Sequence, residues 1–297
     1  MALVIIMTSP PTLQWSEPME ELFRKHVLRR VCDDPRTDWD DGNNVSLGYP
    51  FTVIRDEVIQ KGRADFGEPH RNSKYGDLTP EDKVLLYCFA NMRLHFFEAL
   101  QAFGHYKSKL QELFSSDQRT VIADLGCGPG TAGLALSDCL KQPKLRYIGL
   151  DIAKAMRRKA RNMLEAAIEE QLLADGSKIR TVASWGKLAN VPSRFKKTKD
   201  VLFNATYLFS SDSLSVDDVC NAVMAFKNSS RVRRLLFVYS NTRADAANAK
   251  FVTFKTQLQN EFTTDGLIEA TGSYHKKRDN QETVSMTFVH ELLDFKR

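Results

Sequence analysis

The architecture of this chain can be inferred from one stretch, VIADLGCGPGTAGLAL, at residues 121–136. A short apolar segment runs into an acidic residue, and three glycines, Gly126, Gly128 and Gly130, then follow within five positions before an apolar helical pattern begins. Glycine adopts backbone angles closed to other residues and lets the main chain touch a ligand directly. The pattern therefore predicts a strand, a tight turn and a helix, with a ligand at the turn. A tight turn without a ligand is the alternative interpretation.

Short β-rich runs alternate with helical segments from about residue 118 onward. Strands are predicted at 120–126, 145–151, 178–184, 200–209 and 233–241, and helices at 130–141, 153–173, 215–228 and 245–262. This alternation is typical of a parallel sheet covered by helices on both faces. Two more predicted strands, 267–275 and 283–295, are too close for a parallel return and are expected to form an antiparallel hairpin. We predict a doubly wound α/β fold whose mostly parallel, seven-stranded sheet ends in this antiparallel C-terminal pair.

The region before the sheet has a different character. Segments 32–44 and 61–80 are rich in turn-forming and charged residues, and one helix is predicted near 17–31. A second helix is predicted after Thr79, with apolar side chains at three- to four-residue spacing at Leu85, Phe89, Met92, Phe96, Leu100 and Phe103. We therefore expect a helical N-terminal cap at 1–115 and a sheet domain at 116–297.

Composition narrows the classes of protein to consider. The 297 residues are 42% hydrophobic, and no apolar run is long enough to predict a membrane span. Five scattered cysteines without a CxxC pair suggest buried thiols and neither a disulfide framework nor a metal site. Together with the lack of a basic segment before the apolar N-terminus, this favours a cytoplasmic location. The net charge of +5 weakly favours a polyanionic partner.

Two nucleotide-binding fingerprints fit the glycine turn poorly. A dinucleotide site needs glycine or alanine where this chain has Thr131, which disfavours an NAD-dependent oxidoreductase. A phosphate-binding P-loop needs a lysine that does not follow here, and Pro129 removes one main-chain amide from the turn. Asp151, at the end of the second predicted strand, suits the two hydroxyls of a ribose.

The stretches VIADLGCGPG (121–130) and YIGLDIAKAM (147–156) resemble the first motif and the second-strand acid of the class I, Rossmann-like S-adenosylmethionine-dependent methyltransferases. The antiparallel ending is also similar to that superfamily's seven-stranded sheet, so the resemblance covers about residues 118–293. It implies an enzyme that transfers a methyl group from S-adenosylmethionine to an acceptor.

The resemblance also implies the cofactor contacts. Asp124 would face the amino-acid end of the donor, and the turn, with Gly126, Cys127, Gly128 and Gly130, would pass beneath the methionine and ribose. Asp151 would bind the ribose hydroxyls, and Ile152 would lie against the adenine. Where many relatives have an acid near the adenine amine, this chain has Ser184 and Trp185. Stacking of Trp185 on the adenine and packing of Trp185 in the core are both open.

The acceptor site is expected at the end of the fourth predicted strand. Asn204 and Tyr207 resemble the (Asn/Asp)-Pro-Pro-(Tyr/Phe) motif of amino-methylating enzymes, with Ala205 and Thr206 in place of the prolines. Asn204 would thus lie at both the donor and the acceptor. His95, on the helix that would cover the donor as a lid, is a candidate base because the pKa of histidine lies near neutrality. The alternatives are that Asn204 caps the segment that follows it, that Tyr207 packs on the sheet, and that His95 is a hydrogen-bonded core residue.

The acceptor class rests on weaker observations. Lys276, Lys277 and Arg278 follow Tyr274 in the expected hairpin loop SYHKKRDNQE (273–282), a combination suited to nucleic acid. A nucleic acid acceptor is therefore favoured, with a slight preference for RNA. A solvated hairpin tip is the alternative interpretation of this loop. Small-molecule or protein acceptors remain open, as does a catalytically weak donor-binding module that scaffolds a partner protein. The basic segment MRRKARN (156–162) is interpreted as a solvated helix face.

Overall fold

The computed structural model describes residues 16–40, 44–115, 120–192, 198–229, 232–261, 268–277 and 283–296. The N-terminal part begins with helix α1 (17–32), in which a π-helical turn, Arg24–Leu28, interrupts α-helical geometry. Strands β1 (Val45–Ser46) and β2 (Tyr49–Pro50) form a small hairpin, and helix α2 (51–58) follows. No described helix has the length and apolar character needed to cross a membrane.

Helix α3 (80–105) is the long helix that precedes the sheet. Thr79 caps it through a reciprocal pair of hydrogen bonds with Asp82, and Pro80 occupies its first turn, as the sequence predicts. Unlike the prediction of a regular helix, a π-helical turn at Cys88–Met92 lies in its middle. Such turns reset which side chains face a site, and they occur often at functional positions. Helix α4 (Lys107–Ser115) leads to the sheet.

The remaining chain builds the seven-stranded sheet. Its strands are β3 (Thr120–Leu125), β4 (Arg146–Leu150), β5 (Lys178–Val182), β6 (Asp200–Thr206), β7 (Arg234–Thr242), β8 (Ile268–Lys277) and β9 (Thr283–Lys296). The helices between them are α5 (Thr131–Leu140), α6 (Lys154–Glu169), α7 (Trp185–Ala189), α8 (Val216–Lys227) and α9 (Asp245–Glu261). The spatial order is β5-β4-β3-β6-β7-β9-β8, and only β9 runs against its neighbours. The predicted fold class is confirmed.

Two hydrophobic layers sandwich the sheet because side chains alternate between its faces. Along β3, Ile122 belongs to the layer formed with the N-terminal helices, α5 and α6, whereas Val121 and Ala123 belong to the layer formed with α7, α8 and α9. The N-terminal region therefore packs on the same face as α5 and α6. A boundary at residue 115 remains a prediction, since one apolar cluster runs across it.

Polar contacts join the N-terminal region to helix α6. Arg158 forms an ion pair with Glu81 at 2.6 Å. Lys159 donates a hydrogen bond of 2.7 Å to the carbonyl of His26 in α1. These contacts hold the start of α3 beside the helix that follows the second strand of the sheet.

Two strand ends differ from the prediction. Strand β6 stops at Thr206 instead of residue 209, because Tyr207 adopts a left-handed conformation with φ of 59° and a short 3₁₀ turn follows. Strand β8 extends to Lys277, so Lys276 and Lys277 lie in a strand and not in the expected loop. Long-range pairing with β9 explains this extension.

Candidate functional site

The three glycines of the turn between β3 and α5 all have positive φ, at 68°, 48° and 85° for Gly126, Gly128 and Gly130. A side chain at Gly130 would place its Cβ 3.2 Å from the Cα of Ala160 in helix α6. A Cβ at Gly126 would lie 3.1 Å from Leu208, whereas Gly128 has open space beside it. The turn thus packs against helix α6 and the end of β6, and its middle faces free space.

Cys127 contributes to the turn through packing. Its thiol is buried, and a Cβ on Gly149 of β4 would come within 2.7 Å of the Cys127 sulfur. The Cys127 amide donates to the carbonyl of Leu150 at 2.8 Å. Burial raises the pKa of this thiol well above its ordinary value, so it is an uncharged packing group. The expected contact of Cys127 with a cofactor remains a prediction, in which the main chain of Cys127 would make the contact.

Asp124 is buried at the end of β3, on the face of the sheet that carries the N-terminal region. Its carboxylate accepts hydrogen bonds from the Tyr147 hydroxyl at 2.6 Å and from the Asn204 amide at 2.8 Å. Burial raises the pKa of Asp124 to about 6, although both hydrogen bonds lower it. Asp124 therefore ties β3 to β4 and β6, and its direct contact with a donor remains a prediction.

Asp151 follows strand β4 and holds the glycine turn. One carboxylate oxygen accepts from the Gly128 amide at 3.1 Å, and the other from the Ala153 amide at 2.8 Å. Because a carboxylate has about four acceptor positions, each oxygen can still accept from a ligand hydroxyl. Burial raises the pKa of Asp151 above its ordinary value, and the two amides partly offset this.

Ile152 and Trp185, the two expected adenine contacts, differ in their surroundings. Ile152 is 80% exposed, more than any other large hydrophobic side chain among the described residues. Arg157 fixes the backbone at this point, since its guanidinium donates to the carbonyls of Asp151 and Ile152, both at 2.7 Å. Trp185 begins helix α7 after its Ser184 cap and packs, partly buried, on the hydrophobic layer of that face.

The acceptor candidates meet where β6 ends. The rings of His95 and Tyr207 lie 4.8 Å apart between centroids, and the hydroxyl of Tyr87 is 3.2 Å from the Nδ1 atom of His95. Helix α3 therefore reaches over the carboxyl end of β6, as expected for a lid. Burial, together with nearby negative charge that includes Asp151, raises the pKa of Tyr87.

The expectation that His95 titrates near neutrality is wrong in this structure. Burial lowers the pKa of His95 to about 4, so its imidazole is neutral at pH 7 and is a weak base. A general base works best with a pKa near the operating pH. A catalytic role for His95 remains a prediction, in which the neutral ring would position a partner.

Asn204 is buried beside Asp124 and points into the sheet end. Its carbonyl oxygen lies 3.5 Å from the Thr206 hydroxyl, and its amide nitrogen donates to Asp124. These contacts make Asn204 a positioning residue here, and its expected contact with an acceptor amine remains a prediction.

Several expectations concern residues about whose side chains the structure says nothing. Arg278 lies outside the described residues, and Lys276 and Lys277 are described only as the backbone end of β8. Nucleic acid binding by this basic segment therefore stays a prediction. Among the described residues, no group of three or more His, Cys, Asp or Glu side chains is arranged to hold a metal ion.

Sequence reasoning missed three residues that shape the site. Tyr147 holds Asp124, and Arg157 holds the 151–152 backbone. Leu208 packs beneath Gly126. For Tyr147 the sequence did contain a local signal, because its hydroxyl is a polar group on the buried strand RYIGL and needs a hydrogen-bond partner.

Comparisons with known proteins bear on the fold. No protein-family model matches the chain, and no curated protein does either. A precorrin-8w decarboxylase from Methanobacterium thermoautotrophicum is 14% identical, with 65% of this chain and 90% of that one aligned at a TM-score of 0.41. A precorrin-6y C5,15-methyltransferase from Geobacter metallireducens is 12% identical, with 65% and 88% aligned at a TM-score of 0.42.

A third solved structure, magnesium protoporphyrin IX methyltransferase from Synechocystis with bound S-adenosylmethionine, is 16% identical. It aligns over 82% of this chain and 96% of that one, with a TM-score of 0.36. Because these identities and TM-scores are low, we assign the fold from the strand order and the connections between the strands. On that observed topology, with β9 inserted antiparallel between β7 and β8, this chain has the Rossmann-like fold of the class I methyltransferases.

Proposed function

We propose that the protein is a methyltransferase that uses S-adenosylmethionine as its methyl donor. The observation that carries the proposal is the turn between β3 and α5, which has three positive-φ glycines and whose Gly128 amide donates to Asp151 at the carboxyl end of the sheet. In a doubly wound fold this is the place where ligands bind. The exposed side chain of Ile152 beside it offers an apolar surface for a flat ring.

The charge of the turn favours a cationic ligand over a phosphate. Asp124 and Asp151 are both acids of raised pKa near the same loop, and the charge of Asp151 contributes to the raised pKa of Asp124. A cation stabilises such ionised carboxylates, whereas a phosphate would be repelled by them. S-adenosylmethionine carries a sulfonium and an ammonium group, so it fits this turn better than a dinucleotide does.

The chain's own residues account for binding and alignment. When bound, the donor would supply an activated methyl group on a sulfonium for direct displacement by an acceptor atom. Asp151 has free acceptor positions for the ribose hydroxyls, and Gly128 leaves open space for the ligand. Helix α3 contacts the β6 end through His95 and Tyr207, and it would exclude water from the bound donor. The enzyme's contribution would be chiefly to hold donor and acceptor in line.

The acceptor would enter where Tyr207 and His95 face each other. An aromatic pair at the end of β6 provides a stacking surface for a planar acceptor. A nucleic acid acceptor, RNA in particular, fits the basic charge of the chain and such a surface. Small-molecule and protein acceptors, and a scaffolding module without turnover, are the competing outcomes of the experiment below.

Donor binding is tested by calorimetry with S-adenosylmethionine. Ile152→Ala removes apolar surface without disturbing the core, and we expect it to weaken donor binding about tenfold, since three carbon groups lose their ring contact. Asp151→Ala should weaken binding by about tenfold or more because buried ligand hydroxyls lose their partner. Asp175→Ala, at an exposed position, is the matched control and should leave affinity unchanged.

Turnover is tested by incubating the protein with donor carrying a tritiated methyl group and with separated RNA, DNA, protein and small-molecule pools. Label in the RNA pool is the expected result. Binding of the donor without label in any pool favours the scaffolding module. An absence of donor binding by a folded protein contradicts the proposal itself.

A further inference from the structure

A strongly basic pocket of about 570 Å³ lies at the edge of the sheet, beside the carboxyl end of β5. Its walls come from helix α6, strand β5 with Ala183 after it, and helix α7 with Asn190 after it. Six cationic side chains line it, Lys154, Arg157, Arg158, Arg161, Arg180 and Lys187, and its lining contains no carboxylate. The sequence predicted that segment 156–162 forms a solvated helix face. In the structure, its arginines instead share a pocket with cationic side chains from β5 and α7.

The positive charge of the pocket is largely uncompensated. Arg158 is paired with Glu81, and Arg157, which donates to main-chain carbonyls, also interacts electrostatically with Asp151. Arg161 donates to the Thr181 hydroxyl at 3.5 Å. Carbonyl and hydroxyl partners do not neutralise a guanidinium. Like charges that converge without counter-ions repel one another, so the pocket gains from an anionic ligand.

The cations of helix α6 form one row. Lys154 and Arg161 are seven residues apart, so the row is about 10 Å long, with Arg157 and Arg158 between them. A helical nucleic acid strand carries one phosphate per about 3.4 Å of its axis, and such a row matches about three phosphates. The predominance of arginine fits this chemistry, because its planar fork binds phosphate through two parallel hydrogen bonds.

The position of the pocket points to an extended ligand. It lies at β5, whereas the Tyr207–His95 pair lies at the end of β6, three strand spacings or about 14 Å away across the sheet. The glycine turn between β3 and α5, where the donor would bind, lies between them and is called the donor turn below. A small metabolite cannot occupy both places at once, but a strand of several nucleotides can.

We propose that this pocket binds backbone phosphates of an RNA strand whose target nucleotide enters beside Tyr207. This inference rests on the proposed function, which places the acceptor beside Tyr207 at the end of β6. It adds that the acceptor bound there is a nucleotide of an RNA strand. Arg157 links the two regions, since it lines the pocket and fixes the backbone of Asp151 and Ile152 at the donor turn.

The test measures binding of a fluorescein-labelled, single-stranded RNA of about 20 nucleotides by anisotropy over a salt series. The pocket variant combines Arg161→Gln, Arg180→Gln and Lys187→Gln, which avoids the arginines that contact the donor turn and Glu81. We expect it to weaken binding at least about tenfold at roughly 0.1 M salt. The slope of log affinity against log salt should fall by about 2, as expected for three lost phosphate contacts on a single strand.

A matched control combines Lys144→Gln, Arg146→Gln and Lys178→Gln, which remove the same charge near the amino ends of β4 and β5, at residues that do not line the pocket. The control should change RNA affinity by less than about twofold. Equal losses in the two variants, or parent binding that does not depend on salt, overturns the proposal. So does a pocket variant that loses binding to phosphatidylserine vesicles while its RNA binding is unchanged.

Calorimetry with S-adenosylmethionine on the same proteins separates this inference from the function on which it rests. Donor binding without RNA binding overturns the pocket proposal and leaves the methyltransferase proposal intact. RNA binding that the pocket variant loses, in a protein that binds no donor, confirms the phosphate site and overturns the methyltransferase proposal. Equal melting temperatures of parent and variants show that folding is not the cause.

Discussion

Replacing Asp124 by asparagine should make the free energy of unfolding less dependent on pH. Asp124 is 2% exposed, and burial raises its pKa from an ordinary 3.8 to about 6. A carboxyl whose pKa is higher in the folded state favours folding when protonated, and this advantage is lost as the pH rises through the folded pKa. The parent therefore loses stability from this group between about pH 4 and about pH 6, and the asparagine variant does not.

The size of the effect follows from the shift. About two pKa units correspond to about 3 kcal/mol over the whole titration, of which about 2 kcal/mol falls between about pH 4.5 and about pH 7. The substituted side chain keeps a carbonyl that can accept from Asn204, so the site remains hydrogen-bonded. The difference in unfolding free energy, variant minus parent, should rise by this amount across that range.

Urea unfolding followed by circular dichroism at a series of pH values measures the difference directly. Asp175→Asn, at an exposed carboxylate, is the control and should show no such trend. A difference between the Asp124 variant and the parent that stays constant within about 0.5 kcal/mol would refute the reasoning, since it would mean that burial does not raise this pKa.

Further expectations concern the glycine turn and the donor. Gly130→Ala should lower the unfolding free energy by about 2–4 kcal/mol, because left-handed strain adds to a Cβ placed 3.2 Å from the Ala160 backbone. Gly128→Ala, with open space beside it, should cost only about 1 kcal/mol, and similar losses in both would contradict the close approach to α6. Calorimetric affinity for S-adenosylmethionine should rise between about pH 5 and pH 7 as Asp124 ionises, and a flat profile would show that the cation does not sense this carboxylate.

The elements of the sheet could be predicted from the sequence because apolar periodicity is a local property of the chain. Strand β3 and helix α5 fall within one residue of their predicted bounds. The end of β6 could not be predicted, since it depends on the left-handed turn at Tyr207 and on the packing of Leu208 beneath Gly126.

The candidate site was predictable where its parts are contiguous. Gly126 to Gly130 and Asp151 each follow a strand, and parallel strands bring such ends to one edge of the sheet. The residues that hold these groups in place could not be predicted from the sequence. Tyr147 reaches Asp124 because β3 and β4 pair with Ile122 opposite Tyr147, a register that no local pattern encodes.

The amino-acid sequence by itself determined which segments become strands and helices, and where a ligand turn lies between them. The tertiary structure alone decided that β9 lies between β7 and β8, and that the ring of His95 lies against Tyr207 with a lowered pKa. It also decided that Arg180 and Lys187 face the basic row of helix α6. The physical reason is that periodicity acts along the chain, whereas burial and electrostatic potential depend on groups within about 10 Å in space, however distant they are in sequence.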